Sequence, residues 1–245
     1  MAAISSDVLA RLGRFDTPTI CNLVELFEIR PQNTGFMDAT IQACFPEMPP
    51  VVGFAATATF RAAAPPRAGN VYSSLENQVE RFADLAGPPV VVFQDLDHPS
   101  VGATFGEVMC TTYQAFGAVG LITSGAGRDL DQVRALGFPV FTNGTICAHG
   151  YPQVIDVHVP VHVGGITLFP GDLLHGDLNG VTTIPGTIAA AMADIGDEFV
   201  AAEGIIFEAM REAPGSLQRL REARAESQAQ IKALRARVSR VKKSD

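Results

Sequence analysis

Three short apolar runs constrain this chain more than any other feature: 89–95 (PVVVFQD), 119–124 (VGLITS) and 139–142 (PVFT). The stretches between them are long enough for helices, which the sequence predicts over 104–116 and 130–136, the second stopping at Gly137. Runs of this length and composition are strands buried on both faces, and helical connections join such strands as parallel, right-handed βαβ units. The chain is therefore expected to have an α/β core. Upstream, helices are predicted over 5–14 and 17–29. Ser5 or Ser6 and Thr17 are their candidate caps, with Pro18 in an early helical position. A strand is expected over 51–60, a Pro- and Gly-containing loop over 62–70, a helix over 73–86, and a weaker strand over 38–45. Downstream the pattern changes. Residues 154–163 (VIDVHVPVHV) alternate in strand fashion, followed by short strands at 166–169, 173–175 and 181–184 and a helix over 187–211. This region reads as antiparallel.

Composition narrows the class. The 245 residues are 47% apolar, enough for one full core. No apolar run approaches the roughly 18 residues of a membrane span, and the first residues do not read as a signal peptide, so no membrane is expected and the location expected is cytoplasmic. Cys21, Cys44, Cys110 and Cys147 are far apart, which argues against a zinc knuckle or a disulfide framework. The formal charge of −8 is uneven: residues 216–245 carry nine Lys or Arg against three acids. Two parts are expected, 1–214 as the folded body and 215–245 as a basic helical extension. The latter has a four-three seam through Leu220, Arg224, Ser227, Ile231, Leu234, Val238 and Val241, read either as a coiled coil or arm onto a neighbouring subunit or as a solvated helix. The acidic body opposes nucleic-acid binding.

The chemistry centres on Glu107, then twenty residues, then Arg128-Asp129. Gly106 stands near the start of a predicted helix, so the amides of Glu107, Val108 and Met109 are candidates to hold a small carboxylate, with an ordinary helix start as the alternative reading. Arg128 carries a planar fork for a carboxylate, and Asp129 is a hard oxygen ligand suited to Mg²⁺ or Mn²⁺. Taken singly, the pair reads better as a capping aspartate and a surface arginine. Gly125-Ala126-Gly127 lacks the third glycine of a dinucleotide fingerprint. His158 and His162, four apart in a strand pattern, are too distant for one metal ion.

The chain resembles the RraA-like family. The resemblance rests on Glu107 and Arg128-Asp129 together with Val52–Thr57 (VGFAAT), Gly117–Gly120, Leu136–Phe141, Val163-Gly164-Gly165, Pro170-Gly171-Asp172 and Gly176–Val181, in order. It implies a β/β/α swivelling-domain fold, assembled as a trimer or a dimer of trimers. It implies a class II, metal-dependent aldolase acting on a 4-hydroxy-2-oxo acid through pyruvate enolate, with oxaloacetate decarboxylation as a side activity. It places substrate on the 106–109 amides and Arg128, Mg²⁺ or Mn²⁺ on Asp129, and water-held metal contacts on Glu107 and on Glu203 of a neighbouring subunit. The alternative it implies is a non-catalytic, oligomeric inhibitor of a ribonuclease. Glu rather than Asp at 107, Asn at position 22, and the missing second acid in 177–180 are departures that bear on the substrate. Specificity is expected from loops 62–70 and 149–153.

Overall fold

The computed structural model describes residues 4–67 and 71–241. Two helices open the fold, α1 (Ser6–Leu12) and α2 (Thr17–Leu26). Ser5 caps α1 as expected, but α2 is capped by Asp16, whose carboxylate accepts the Thr19 N–H at 2.8 Å. Thr17 is occupied elsewhere. Its N–H donates to Asp177 at 2.9 Å, and its hydroxyl lies 2.9 Å from His175 Nδ1. The weak strand near 38–45 shrinks to β1 (Gln42–Ala43), and the long β2 (Val51–Arg61) follows.

The βαβ core is present. β2 leads through α3 (Val71–Glu80) and a short 3₁₀ turn to β3 (Pro89–Asp95). After β3 come β4 (Ala103–Phe105), α4 (Glu107–Ala115), β5 (Gly120–Thr123), β6 (Ala126–Gly127), α5 (Leu130–Ala135) and β7 (Val140–Thr142). Strands β2, β3, β5 and β7 pair in parallel. The predicted helix over 104–116 therefore begins only at Glu107, because Ala103–Phe105 is strand.

The predicted strand over 154–163 is two strands, β8 (Gln153–Val157) and β9 (Val161–Val163). His158, with φ of 61°, breaks the run, so His158 and His162 do not share one strand face. β9 pairs with β10 (Ile166–Leu168), and β11 (Leu173–Asp177) with β12 (Gly180–Ile184). The main sheet runs β1-β7-β5-β3-β2-β11-β12. The remaining edge of β2 is divided: its first part pairs with β11 and its last part with β8. The sheet curls until a Cβ on Gly176 of β11 would lie 3.0 Å from the Phe141 ring of β7, so it is a nearly closed barrel.

Alternation along the strands sorts the core. Val90 and Val92 face the barrel interior with Ala55, Ile122, Phe141 and Leu174. Val91 and Phe93 face outward with Phe60, Leu121, Cys110 and Tyr113, under α3, α4 and α5. A third cluster joins α1, α2, α6 (Ala189–Glu212) and α7 (Leu217–Val241). The basic extension is thus neither an arm nor a solvated rod within this chain. α7 folds back along α6 and touches α2, burying Ala223, Ser227, Leu234 and Val238. The seam enters through Ala223 rather than Arg224, which stays exposed. Arg237 adds a bidentate contact to Glu198, at 2.6 and 3.0 Å. No described helix is long and apolar enough to cross a membrane.

Candidate active site

The parallel strands end at one edge of the barrel, where connecting loops in α/β sheets form ligand crevices. Beyond that edge the chain uses a device the sequence did not signal. After β3 it returns as β4, after β5 as β6, and these two short strands pair in parallel, Ala103 with Ala126 and Phe105 with Gly127. Each strand then opens a helix. The twenty-residue spacing is the length of α4, β5 and this ribbon, and it sets Gly106-Glu107 beside Arg128-Asp129.

The juxtaposition is fixed by direct contacts. The Arg128 N–H donates to the Phe105 carbonyl at 3.2 Å. The Glu107 N–H donates to Asp129 Oδ2 at 3.1 Å, and Arg128 Nε lies 3.5 Å from the same oxygen. Asp129 holds the N-cap position of α5 but does not cap it; its backbone is left-handed, φ 56° and ψ 39°. Among non-glycine residues Asp and Asn tolerate that region best, and the strain is of order 1–2 kcal/mol. The carboxylate is turned away from its own helix toward the start of the other. Gly106 makes this approach feasible, since a Cβ there would lie 2.5 Å from Asp129 Oδ2 and 3.1 Å from Arg128 Nε. At Gly127 the Phe105 ring leaves no room for a side chain, so this glycine serves ribbon packing rather than a phosphate loop.

Beneath the ribbon the turn is locked by hydroxyls. Thr104 Oγ1 lies 3.0 Å from both Thr123 Oγ1 and the Ala126 carbonyl, and Thr142 donates to the Gly125 carbonyl at 2.7 Å. Ser124 Oγ accepts the Asp95 N–H at 2.9 Å. Asp95 was not singled out from the sequence. Its Oδ2 is buried without a partner among the described residues, and desolvation pushes its carboxyl above the usual range. Its place at the carboxyl end of a central parallel strand is the signal that could have found it.

Above the turn lies a cavity of about 350 Å³. Gly106, Val108, Met109, Arg128 and Asp129 line it, so the structure brings these predicted site residues together. The first helical N–H to bond back along α4 is that of Cys110, to the Gly106 carbonyl, which leaves the amides of Val108 and Met109 without intrahelical partners. The Glu107 side chain is exposed at the first position of α4 and is not part of the lining. Arg128 is half-buried, and its two Nη groups make no hydrogen bond among the described residues. Both loops expected to set specificity contribute, through Pro66 and through His149–Pro152; residues 68–70 lie outside the described residues. Glu203 is not there. Within one chain it lies on α6 near Asp16, and partial burial, then the Asp16 charge, raises its carboxyl above the ordinary range.

Among the described residues no three His, Cys, Asp or Glu side chains cluster, so the protein presents one carboxylate, Asp129, not a closed cage. That suits Mg²⁺ or Mn²⁺, which keep much of their water and take few protein oxygens, and does not suit a structural zinc.

Fold and cleft together define a mixed α/β protein whose cleft sets an open helix N-terminus beside a fixed Arg-Asp pair. The chain belongs to the RraA-like family: the Aldolase/RraA model matches residues 17–183. It is 36% identical over 101 residues to a Halalkalibacterium halodurans protein named "Putative 4-hydroxy-4-methyl-2-oxoglutarate aldolase". That match covers 41% of this chain and 48% of the relative, about half its length. In fold it is similar to an uncharacterized protein from Pseudomonas syringae pv. tomato, with a TM-score of 0.70 and 24% identity over 91% of this chain and 95% of the other. It is also similar to Streptomyces coelicolor RraAS2, of the RNase ES inhibitor RraA family. There the TM-score is 0.64 and the identity 23%, covering 86% of this chain and 99% of that one.

Proposed function

We propose that this chain is a divalent-metal-dependent lyase that cleaves a 4-hydroxy-2-oxo acid and releases pyruvate, through the β/β/α swivelling-domain arrangement implied by its family. The observation that carries the reading is the Arg128-Asp129 pair pinned against the open N-terminus of α4. The amides of Val108 and Met109, with the helix dipole, receive the substrate carboxylate. The free Nη groups of Arg128 hold the keto-acid end and face the negative charge that grows on the keto oxygen as the carbon–carbon bond breaks. Asp129, and Glu107 through water, would hold a Mg²⁺ or Mn²⁺ ion, which would supply Lewis-acid stabilisation of that same charge. Glu107, exposed beside the cleft, relays a proton through water to C3 of the enolate. In a trimer or a dimer of trimers, Glu203 of a neighbouring subunit completes the set. Partial burial, then the Asp16 charge, raises its carboxyl above the ordinary range. Oxaloacetate decarboxylation passes through the same enolate and is the expected side activity.

The alternative reading is a non-catalytic ribonuclease inhibitor, for which the basic extension would be the binding feature. The apolar seam of that helix is engaged by α6, and the reading has no specific observation in its favour. The test is pyruvate release from oxaloacetate and from 4-hydroxy-2-oxo acids with Mg²⁺ or Mn²⁺ present. Turnover that needs the metal and disappears in Asp129→Ala supports a lyase. Absence of metal-dependent turnover on all of them rejects it.

A further inference from the structure

The walls of the cavity are as informative as its polar end. Among the described lining residues Arg128 is the only Lys or Arg, and the lyase reading engages it with the keto-acid end. Away from Arg128 and Asp129 the lining is Phe105, Val108, Met109, Tyr151 and the two prolines Pro66 and Pro152. His149 stands at this end, with Nδ1 2.8 Å from the Gly150 carbonyl. Arg67, next to Pro66, is exposed and does not line the cavity.

Two of the apolar groups are unusual for their exposure. Val108 is 58% and Tyr151 53% accessible, and both face one cleft. Large apolar side chains left open around a pocket mark a place where something apolar lands. The wall that carries Tyr151 is rigid. The Tyr151 N–H donates to the Ala62 carbonyl at 3.0 Å, and Gln153 Nε2 donates to the Ala64 carbonyl at 2.6 Å. On the other side of that loop Asp97 Oδ2 accepts the N–H groups of Ala62 and Ala63, the latter at 2.9 Å. The apolar wall is therefore held in place without a ligand.

We infer that the substrate of this site carries one carboxylate only, and that its far end is a neutral alkyl or aryl tail. The inference rests on the lyase reading and specifies its substrate class. A second carboxylate at the far end of this cavity would be desolvated against Val108, Met109 and Tyr151, with no second Lys or Arg among the described lining residues to meet it. An alkyl tail instead gains roughly fourfold in affinity for each CH₂ it buries. The chemistry is unchanged by the tail. The C3–C4 bond breaks, and the 4-hydroxyl proton leaves to a base as C4 becomes a neutral aldehyde or ketone. The bond electrons pass to C3, which takes up a proton to give pyruvate. Nothing is oxidised or reduced.

The experiment compares 4-hydroxy-2-oxohexanoate, which would yield pyruvate and propanal, with 4-hydroxy-4-methyl-2-oxoglutarate, which would yield two pyruvates, using the full chain with Mn²⁺. The expected result is a kcat/KM at least tenfold higher for the hexanoate, with Tyr151→Arg narrowing that gap. In parallel, binding of 2-oxohexanoate and 2-oxoglutarate is measured by calorimetry, which needs no turnover. Tighter binding of 2-oxohexanoate supports the inference even if neither hydroxy acid is cleaved, an outcome that rejects the lyase reading alone. A preference for the dicarboxylate, equal binding of the two, or binding of neither overturns the inference. Cleavage of the dicarboxylate in preference to the hexanoate overturns it while leaving the lyase reading intact.

Discussion

Asp129 Oδ2 accepts the N–H of Glu107 at 3.1 Å, so the residue at the head of α5 caps α4 instead of its own helix. The carboxylate thereby has a structural task and a chemical one, and the two can be separated. Asparagine keeps an acceptor oxygen and tolerates the left-handed backbone, whereas alanine does neither. Asp129→Asn is expected to melt close to the parent while metal-dependent pyruvate release falls about a hundredfold or more. Asp129→Ala should lose the activity and also about 1–2 kcal/mol of stability. Thermal unfolding beside turnover checks both. Equal melting of Asn and Ala variants would remove the capping role.

Gly106→Ala tests the close approach. The added methyl carbon would sit 2.5 Å from Asp129 Oδ2, against a turn tied down on both sides. The turn must shift, at a cost of about 1–3 kcal/mol. KM for the oxo acid is expected to rise more than kcat falls, because the displaced amides bind ground state and transition state alike. An unaltered KM would mean that the 106–109 amides do not hold the substrate.

On the helical hairpin, packing should outweigh charge. Leu234 is buried against α6 and its neighbours, and truncation to alanine is expected to cost about 2–4 kcal/mol. The Arg237–Glu198 pair is shorter and better aligned than any other ion pair on α7, yet it is exposed to water, so Arg237→Ala should barely move the denaturation midpoint. The reverse order in urea unfolding would contradict the placement of α7.

His175 makes stability depend on pH. The ring is fully buried, and desolvation lowers its folded-state pKa below the ordinary histidine value. Below about pH 6.5 the unfolded chain takes up this proton more readily than the folded one. Its contribution is complete above that pH and is lost as the pH falls from there toward the folded value, with a slope of at most about 1.4 kcal/mol per pH unit. The melting temperature should drop between pH 7 and pH 5.5, and less so in His175→Gln. Parallel pH profiles for the two proteins would assign the drop to other groups.

The parallel core was legible because strands such as Pro89–Asp95, buried on both faces, leave a continuous apolar record. Strands of two or three residues leave none. Ala103–Phe105 and Ala126–Gly127 are shorter than any usable period, so β4 was absorbed into a predicted helix and β6 into a turn. The break at His158 was invisible for a related reason, since alternation continues in composition across a kink that only the backbone angle reveals. At the site, spacing and residue type pointed to Arg128 and Asp129. That the carboxylate crosses to the other helix, with Asp95 buried below, depends on contacts between segments far apart in sequence, which no local pattern encodes. The seam of α7 was read almost correctly, but its partner was not, because a seam specifies a surface to be covered and not whose helix covers it.

The divided edge of β2 has a consequence for how such a site can change over evolution. Its last residues pair with β8, Phe60 with Val154 and Arg61 with Gln153, and the wall bearing Tyr151 hangs from that pairing. Slipping β8 by one residue would turn Val154 out of the core, so the wall moves either in two-residue jumps of about 7 Å or through an irregularity like the register shift already present between Ala58 and Phe60. Relocation of the wall is in this sense stepwise, and finer reshaping of the cleft is left to the side chains at Val108 and Tyr151.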